Sequence, residues 1–103
     1  MTKQLRQGDY LFIKVDSIPE GFSKHDRSGI VGFGEKTGHT HQLSGDAKLY
    51  RNGSSEQQLA YIEVEKPSEI LHNEHKPIPL SEGIYMVKRQ REFDGRTIRY
   101  VSD

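Results

Sequence analysis

The sequence contains no cysteine, and this absence limits both its stability and its chemistry. Disulfide bonds and thiol catalysis are excluded, and a soft-metal site would have to use histidine and carboxylate ligands in place of thiolate. Small secreted domains often carry disulfides, so the lack of cysteine favours an intracellular protein.

Long hydrophobic runs and net charge are missing as well. No apolar stretch approaches the roughly 20 residues that cross a bilayer, and the first ten residues lack the apolar segment of a signal peptide. We therefore expect a cytoplasmic protein with no membrane partner. The 15 basic and 15 acidic residues balance, so the charge gives no reason to expect a nucleic-acid partner.

The chain has room for one domain. Its 103 residues predict a single domain over 1–103 with a modest core. Hydrophobic residues make up only 32% of the chain, so a bound metal or a partner subunit could contribute to stability.

Helical periodicity is absent, and alternation takes its place. In the segment DYLFIKVD, Leu11, Ile13 and Val15 fall on one face, as in a strand. At least six such short segments predict an all-β fold: a small β-barrel or β-roll, with a β-sandwich as the alternative. Exposed edge strands also lead us to expect a homodimer.

Two hairpins are predicted from turn signals. The first turns at Asn52-Gly53 and the second at Asp94-Gly95. A two-residue turn at the second site would pair Arg91 with Ile98 and Arg89 with Tyr100. The polar stretch 24–28, which contains His25, is predicted to be a loop.

Four of the five histidines occur in two close pairs. TGHTHQL contains His39 and His41, and LHNEH contains His72 and His75. Residues two apart in a strand point to the same side, so His39 and His41 can share an ion. Residue His75 can join them only if the chain bends, and Glu74 is an additional ligand or a hydrogen-bond acceptor for one imidazole.

These residues predict one shared site for a divalent metal such as zinc, iron, nickel or manganese, with no organic cofactor implied. If a coordination position stays open, metal-dependent chemistry on a small-molecule ligand follows; if the histidines close around the ion, its role is structural. The alternative is that the histidines are unconnected, or serve only as hydrogen-bonding groups.

A basic segment, KRQREFDGRTIRY, offers a function of another class. Arg89 and Arg91 could contact an acidic protein or a nucleic acid, which would make the chain a non-enzymatic binding module. The alternative is that these arginines pair with the chain's own carboxylates.

Two resemblances concern the fold and the histidine site. The glycine before HTH and the segment PIPLSEG before IYMV are similar to the spacing in cupins, which implies a β-roll. Nearly the whole chain resembles a family of short uncharacterised bacterial and phage-associated proteins with the pattern TGHxH…HxEHxPIxLxxGxYxVxRQRE. The matching elements are Arg6 to Asp9, Thr37 to His41, Leu49-Tyr50, His72 to Gly83, Tyr85, and Arg89 to Glu92. This resemblance implies a shared fold and a shared histidine site, and no particular activity.

Overall fold

A computed structural model describes residues 4–33, 39–53, 59–89, 91–93 and 98–100. Every regular element within these ranges is a β-strand, which confirms the all-β prediction. The strands are β1 (Gln4–Gln7), β2 (Tyr10–Val15), β3 (Lys24–Asp26), β4 (Ile30–Phe33), β5 (Thr40–Ser44), β6 (Ala47–Arg51), β7 (Leu59–Val64), β8 (Ser68–His72), β9 (Ile78–Leu80), β10 (Gly83–Arg89), β11 (Arg91–Phe93) and β12 (Ile98–Tyr100). No helix in the described part of the chain is long and apolar enough to cross a membrane.

The strands form two principal antiparallel sheets. One has the order β1-β2-β10-β7-β6-β3, the other the order β4-β5-β8-β9, and β11 and β12 form a separate pair. Each principal sheet ends in edge strands, so the described strands do not form the closed barrel that we expected. Alternation along a strand predicts which residues share a face of the sheet, but it carries no information on whether the sheet closes.

A single hydrophobic cluster joins the two sheets. Phe12, Ile62 and Tyr85 contribute from the six-stranded sheet, and Ile70 and Leu80 from the four-stranded sheet; each of these five is at most 1% exposed. Two layers around one core are consistent with the predicted alternative, a small β-sandwich-like fold.

The inward face of β2 carries aromatic residues. Tyr10 and Phe12 are buried, while Leu11, Ile13 and Val15 are only half-buried. The Tyr10 ring fits because β4 has a glycine beside it: a Cβ at Gly32 would overlap the phenol oxygen of Tyr10. Close approach between the two sheets at this point therefore depends on the missing side chain.

A tight turn joins β1 to β2. Gln7 pairs with Tyr10, which leaves Gly8 and Asp9 as a two-residue turn. Gly8 has a φ of 61°, and a glycine is favoured at the first position of such turns because it adopts positive φ without a steric penalty. The side chains of Gln7, just before the turn, and of Asp9, within it, are both buried.

Of the two predicted hairpins, the first is confirmed and the second has a different register. Strands β6 and β7 pair antiparallel on either side of Asn52-Gly53, as predicted. In the second hairpin the predicted register is wrong: Arg91 pairs with Tyr100, and Arg89 pairs with Tyr10 of β2. The predicted Asp94-Gly95 turn lies outside the described residues.

The stretch predicted to be a loop begins as a strand. Residues 24–26 form β3, an edge strand that pairs with β6 and places His25 opposite Tyr50. Local polarity suggested a loop because edge strands need no hydrophobic alternation when one side is solvated.

Candidate metal centre

The two histidine pairs meet on the β5–β8 ladder. His41 on β5 and His72 on β8 are direct cross-strand partners, so their side chains lie on the same face of the sheet. Their ring centroids are 4.5 Å apart. The ring of His72 also lies 5.3 Å from that of His39 and 4.5 Å from that of His75. We call His39, His41, His72 and His75 the histidine cluster.

The bend that brings His75 back is fixed by His72 itself. The Nδ1 atom of His72 accepts hydrogen bonds from the backbone amides of Glu74 and His75, each at 3.0 Å. A side chain that accepts from amides two and three residues ahead stabilises a turn in place of a continued strand. Because both amides can only donate, Nδ1 carries no proton, and in the neutral ring the proton is on Nε2.

The cluster runs from the surface to the interior. The side chain of Glu74 is 69% exposed, that of His39 is 26% exposed, and that of His41 is fully buried. At the exposed end, 3.8 Å separates Nε2 of His39 from Oε1 of Glu74. That distance is too long for a hydrogen bond, so Glu74 acts there as a nearby negative charge.

At the buried end, Gln7 determines which nitrogen of His41 carries the proton. The Nε2 amide group of Gln7 donates to the carbonyl oxygens of Ile70 and Lys76, both at 3.0 Å. Its Oε1 atom therefore faces Nδ1 of His41 at 2.9 Å. Because an amide oxygen can only accept, Nδ1 is the donor, and in the neutral ring the lone pair of His41 is on Nε2.

The Nε2 atom of His41 faces the carboxylate of Asp9. Oδ1 of Asp9 lies 3.7 Å from it, and both residues are fully buried. Neither of these two atoms has a hydrogen-bond partner. The other carboxylate oxygen, Oδ2, accepts a 2.6 Å hydrogen bond from Nε of Arg89.

Asp9 remains ionised despite its burial. Burial raises the pKa of Asp9, but the hydrogen bond and the charge of the Arg89 guanidinium act in the opposite direction, and the pKa lies below its ordinary value of 3.8. Aromatic packing surrounds the pair. The Tyr10 ring lies 4.7 Å from the His41 ring, and the Arg89 guanidinium lies 5.5 Å from the Tyr10 centroid.

The cluster is not a finished coordination sphere as it stands. Across the described ranges, no group of three or more histidine, aspartate or glutamate side chains is arranged to hold a metal ion. Buried nitrogens are nevertheless available in the cluster: Nε2 of His41 and Nε2 of His75 have no hydrogen-bond partner.

The arginines proposed to contact a partner are placed differently from each other. The side chain of Arg89 is only 14% exposed and is bound to Asp9, so its guanidinium is directed into the protein. The side chain of Arg91 lies outside the described residues. A role for the 88–99 segment in binding an acidic protein or a nucleic acid stays a prediction.

His25 lies apart from the cluster. It stacks on Tyr50, with 5.5 Å between the centroids, and lines a cleft with Lys24, Asp26 and Arg51. Within that cleft, Asp26 binds Nε of Arg51 at 2.8 Å. This second aspartate–arginine pair is only partly buried, and among the described residues no histidine hydrogen-bonds to its carboxylate.

Two residues of the site, Gln7 and Asp9, were missed by sequence reasoning. Both belong to the segment RQGD, Arg6 to Asp9, whose only recognisable feature in the sequence is its resemblance to other proteins. A glycine turn followed by an acidic residue is typical of an exposed hairpin end, and nothing local indicates that this turn is buried. The missing information is a contact between Gln7 and Ile70, which are 63 residues apart.

Comparison with known proteins gives a family and no activity. Residues 6–90 match the family described as Domain of unknown function (DUF8820). The chain therefore belongs to this family, and the match includes the whole histidine cluster together with Gln7, Asp9 and Arg89. No curated protein and no solved structure matches the chain.

Proposed function

For this member of a family without an assigned activity, we propose that the histidine cluster binds a divalent first-row metal ion. The observation that carries the proposal is the state of His41. Its Nδ1–H is held by Gln7, and its buried Nε2 has a lone pair but no hydrogen-bond partner. Histidines that bind metals usually donate their second ring N–H to an oriented acceptor, which fixes the ligating nitrogen.

The spacing of the rings supports a shared ion. Zinc–nitrogen bonds are about 2.0–2.1 Å long, so the centroids of two imidazoles on one tetrahedral ion lie about 5 Å apart. The centroids of His41 and His75 lie 4.5 Å from that of His72, and that of His39 lies 5.3 Å from it. All three distances are measured from the ring of His72, so what they support is a common location for the four rings around that residue.

The four histidines are not equally suited to be ligands. His41 and His75 each have an unpartnered Nε2, and His39 stands at the exposed end beside Glu74. His72 must first give up two backbone hydrogen bonds at its Nδ1, each worth about 1 kcal/mol. We therefore assign direct ligation first to His39, His41 and His75, and assign His72 to the set only if its ring turns over.

Imidazole and carboxylate groups suit zinc, iron, nickel or manganese. Three histidine ligands would leave a coordination position open, and the ion could then act as a Lewis acid or a redox centre on a small molecule. We also propose, as the finer description of the fold, that the two facing sheets form a cupin-like β-roll around the histidine-bearing strands. What supports this is the location of the cluster on an antiparallel strand pair.

Elemental analysis tests the proposal. The native chain, purified without a histidine tag or a metal column, should contain close to one equivalent of a first-row metal or take it up on reconstitution. The variants His41→Ala and His39→Ala should lose it, while the matched control His25→Ala should retain it. Circular dichroism of each variant separates loss of ligation from loss of folding, and the half-buried His39 provides the variant that disturbs the core less.

Failure of the wild-type chain to bind zinc, iron, nickel or manganese after reconstitution would refute the proposal. So would equal metal content in the wild-type protein and in a folded His39→Ala, His75→Ala double variant. In either case the histidines would serve only as hydrogen-bonding and packing groups.

A further inference from the structure

Two hydrogen-bond acceptors face each other in the interior, and this arrangement needs a positive partner between them. The two donated bonds of Gln7 fix its amide, and the amide fixes the lone pair of His41 on Nε2. The atom opposite is the carboxylate Oδ1 of Asp9, 3.7 Å away and without a hydrogen-bond partner. Burial of two unpartnered acceptors side by side is unfavourable.

The distance favours an ion over a water molecule. A water donating to both atoms needs about 2.8 Å to each, which would place them about 4.5 Å apart. Metal–nitrogen and metal–oxygen bonds are about 2.0–2.2 Å long. With such bonds, an observed separation of 3.7 Å corresponds to an angle of about 120° at the metal, which a distorted tetrahedral site accommodates.

Each of the two atoms is aimed by a neighbour of its own. Gln7 holds Nδ1 of His41 and thereby directs Nε2, and Arg89 holds Oδ2 of Asp9 and thereby directs Oδ1. This is how supporting residues orient metal ligands in proteins: they occupy the far atom of the ligand and leave the near atom available. The unused atoms of both residues point at one another.

We propose that Asp9 is a direct ligand, through Oδ1, of the same metal ion as His41, and that Arg89 is a positioning residue for Asp9. This inference rests on the proposed function and specifies its ligand set as His41, Asp9 and a further histidine from His39 and His75. Two imidazoles and one carboxylate favour iron(II), zinc(II) or manganese(II) over copper(I), and they leave positions open for a small-molecule ligand.

The first test compares the metal affinity of isosteric variants by competition with a chelator. Asp9→Asn should bind zinc(II) at least ten-fold more weakly than the wild type. The matched control Asp26→Asn breaks the equivalent ion pair with Arg51 and should leave the affinity within about two-fold. Arg89→Gln, which keeps the carboxylate but frees Oδ2, should cost less affinity than Asp9→Asn.

A second test remains informative if Asp9→Asn does not fold. Because the chain has no cysteine, Asp9→Cys introduces a single thiol at the position of interest. With cobalt(II) bound, it should show thiolate-to-cobalt charge-transfer absorption, and the matched Asp26→Cys should show none. Absence of that band in a cobalt-loaded Asp9→Cys variant would overturn the inference.

The outcomes separate the two proposals. If the wild type binds metal and folded Asp9→Asn binds it equally well, Asp9 is not a ligand, while the metal site itself would stand. If the wild type binds no metal at all, both proposals fail.

Discussion

We expect replacement of the Gln7 side chain to lower the free energy of unfolding strongly for a side chain of its size. It is only 2% exposed and makes three hydrogen bonds, to Ile70, Lys76 and His41. Gln7→Leu keeps the approximate volume but removes all three, and it leaves buried partners without hydrogen bonds. With a net loss of about 1 kcal/mol for each bond, and more for each buried group left unpaired, the free energy of unfolding should fall by about 3–5 kcal/mol.

That loss is a large fraction of the roughly 5–15 kcal/mol that stabilises a typical domain. It should lower Tm by about 12 °C or more, at about 4–8 °C for each kcal/mol in a domain of this size. Urea unfolding followed by circular dichroism would measure it. Gln4→Leu, at an exposed position on the same strand, is the matched control and should change stability by about 0.5 kcal/mol or less.

A second variant separates the hydrogen bond to His41 from the two hydrogen bonds to backbone carbonyls. Gln7→Glu keeps an oxygen facing His41 but places the other carboxylate oxygen against the two carbonyls that Nε2 now contacts. It should be nearly as destabilising as Gln7→Leu, since two acceptors would replace a donor and an acceptor. If Gln7→Leu instead unfolds at the same urea concentration as Gln4→Leu, the argument that Gln7 fixes His41 is wrong.

Three further outcomes follow from other parts of the fold. Burial raises the pKa of Asp26, but hydrogen bonds from Arg51 and Ser28 lower it by more, so the pKa lies below its ordinary value. The contribution of ionised Asp26 to the stability of the fold is therefore complete above about pH 4, and it is lost as the pH falls through the lowered pKa. Asp26→Asn should accordingly show a shallower loss of stability in urea titrations below pH 4, and a slope identical to that of the wild type would contradict this. Ile70→Ala, at a fully buried core position, should cost about 2–5 kcal/mol in the same assay, and a cost below about 1 kcal/mol would show that the two sheets do not share one core. Gly32→Ala should lower Tm, because its Cβ would overlap the phenol of Tyr10, at a cost of about 1–3 kcal/mol; an unchanged Tm would show that the two strands are not so close.

The sequence was sufficient to predict the all-β class, the strands with clear alternation and the approach of the two histidine pairs to each other. Alternation in β2, β7 and β10 is a local signal, so the all-β class could be read from it. The two histidine pairs could be linked because each has a short spacing, and a bend before Pro77 was needed only for His75. The structure places these rings around His72.

Long-range pairing was not predictable from local pattern. Asp9 and Arg89 are 80 residues apart, and nothing around either residue indicates the other. The second hairpin failed for a related reason: an Asp-Gly pair favours a two-residue turn, but Phe93 pairs with Ile98, so the connection is longer than the turn signal suggested. Sheet closure likewise depends on partners that alternation does not specify.

Because the histidine cluster extends from the surface to the interior, its side chains differ in their access to solvent. The side chains of Glu74 and His39 are accessible to solvent, while that of His41 is fully buried. If the cluster binds a cation as proposed, an ion arriving from solution would encounter the exposed carboxylate of Glu74 before it reaches the buried imidazole of His41. Different side chains would then govern the association and the retention of the ion. A substitution at Glu74 would change the association rate with little effect on the affinity.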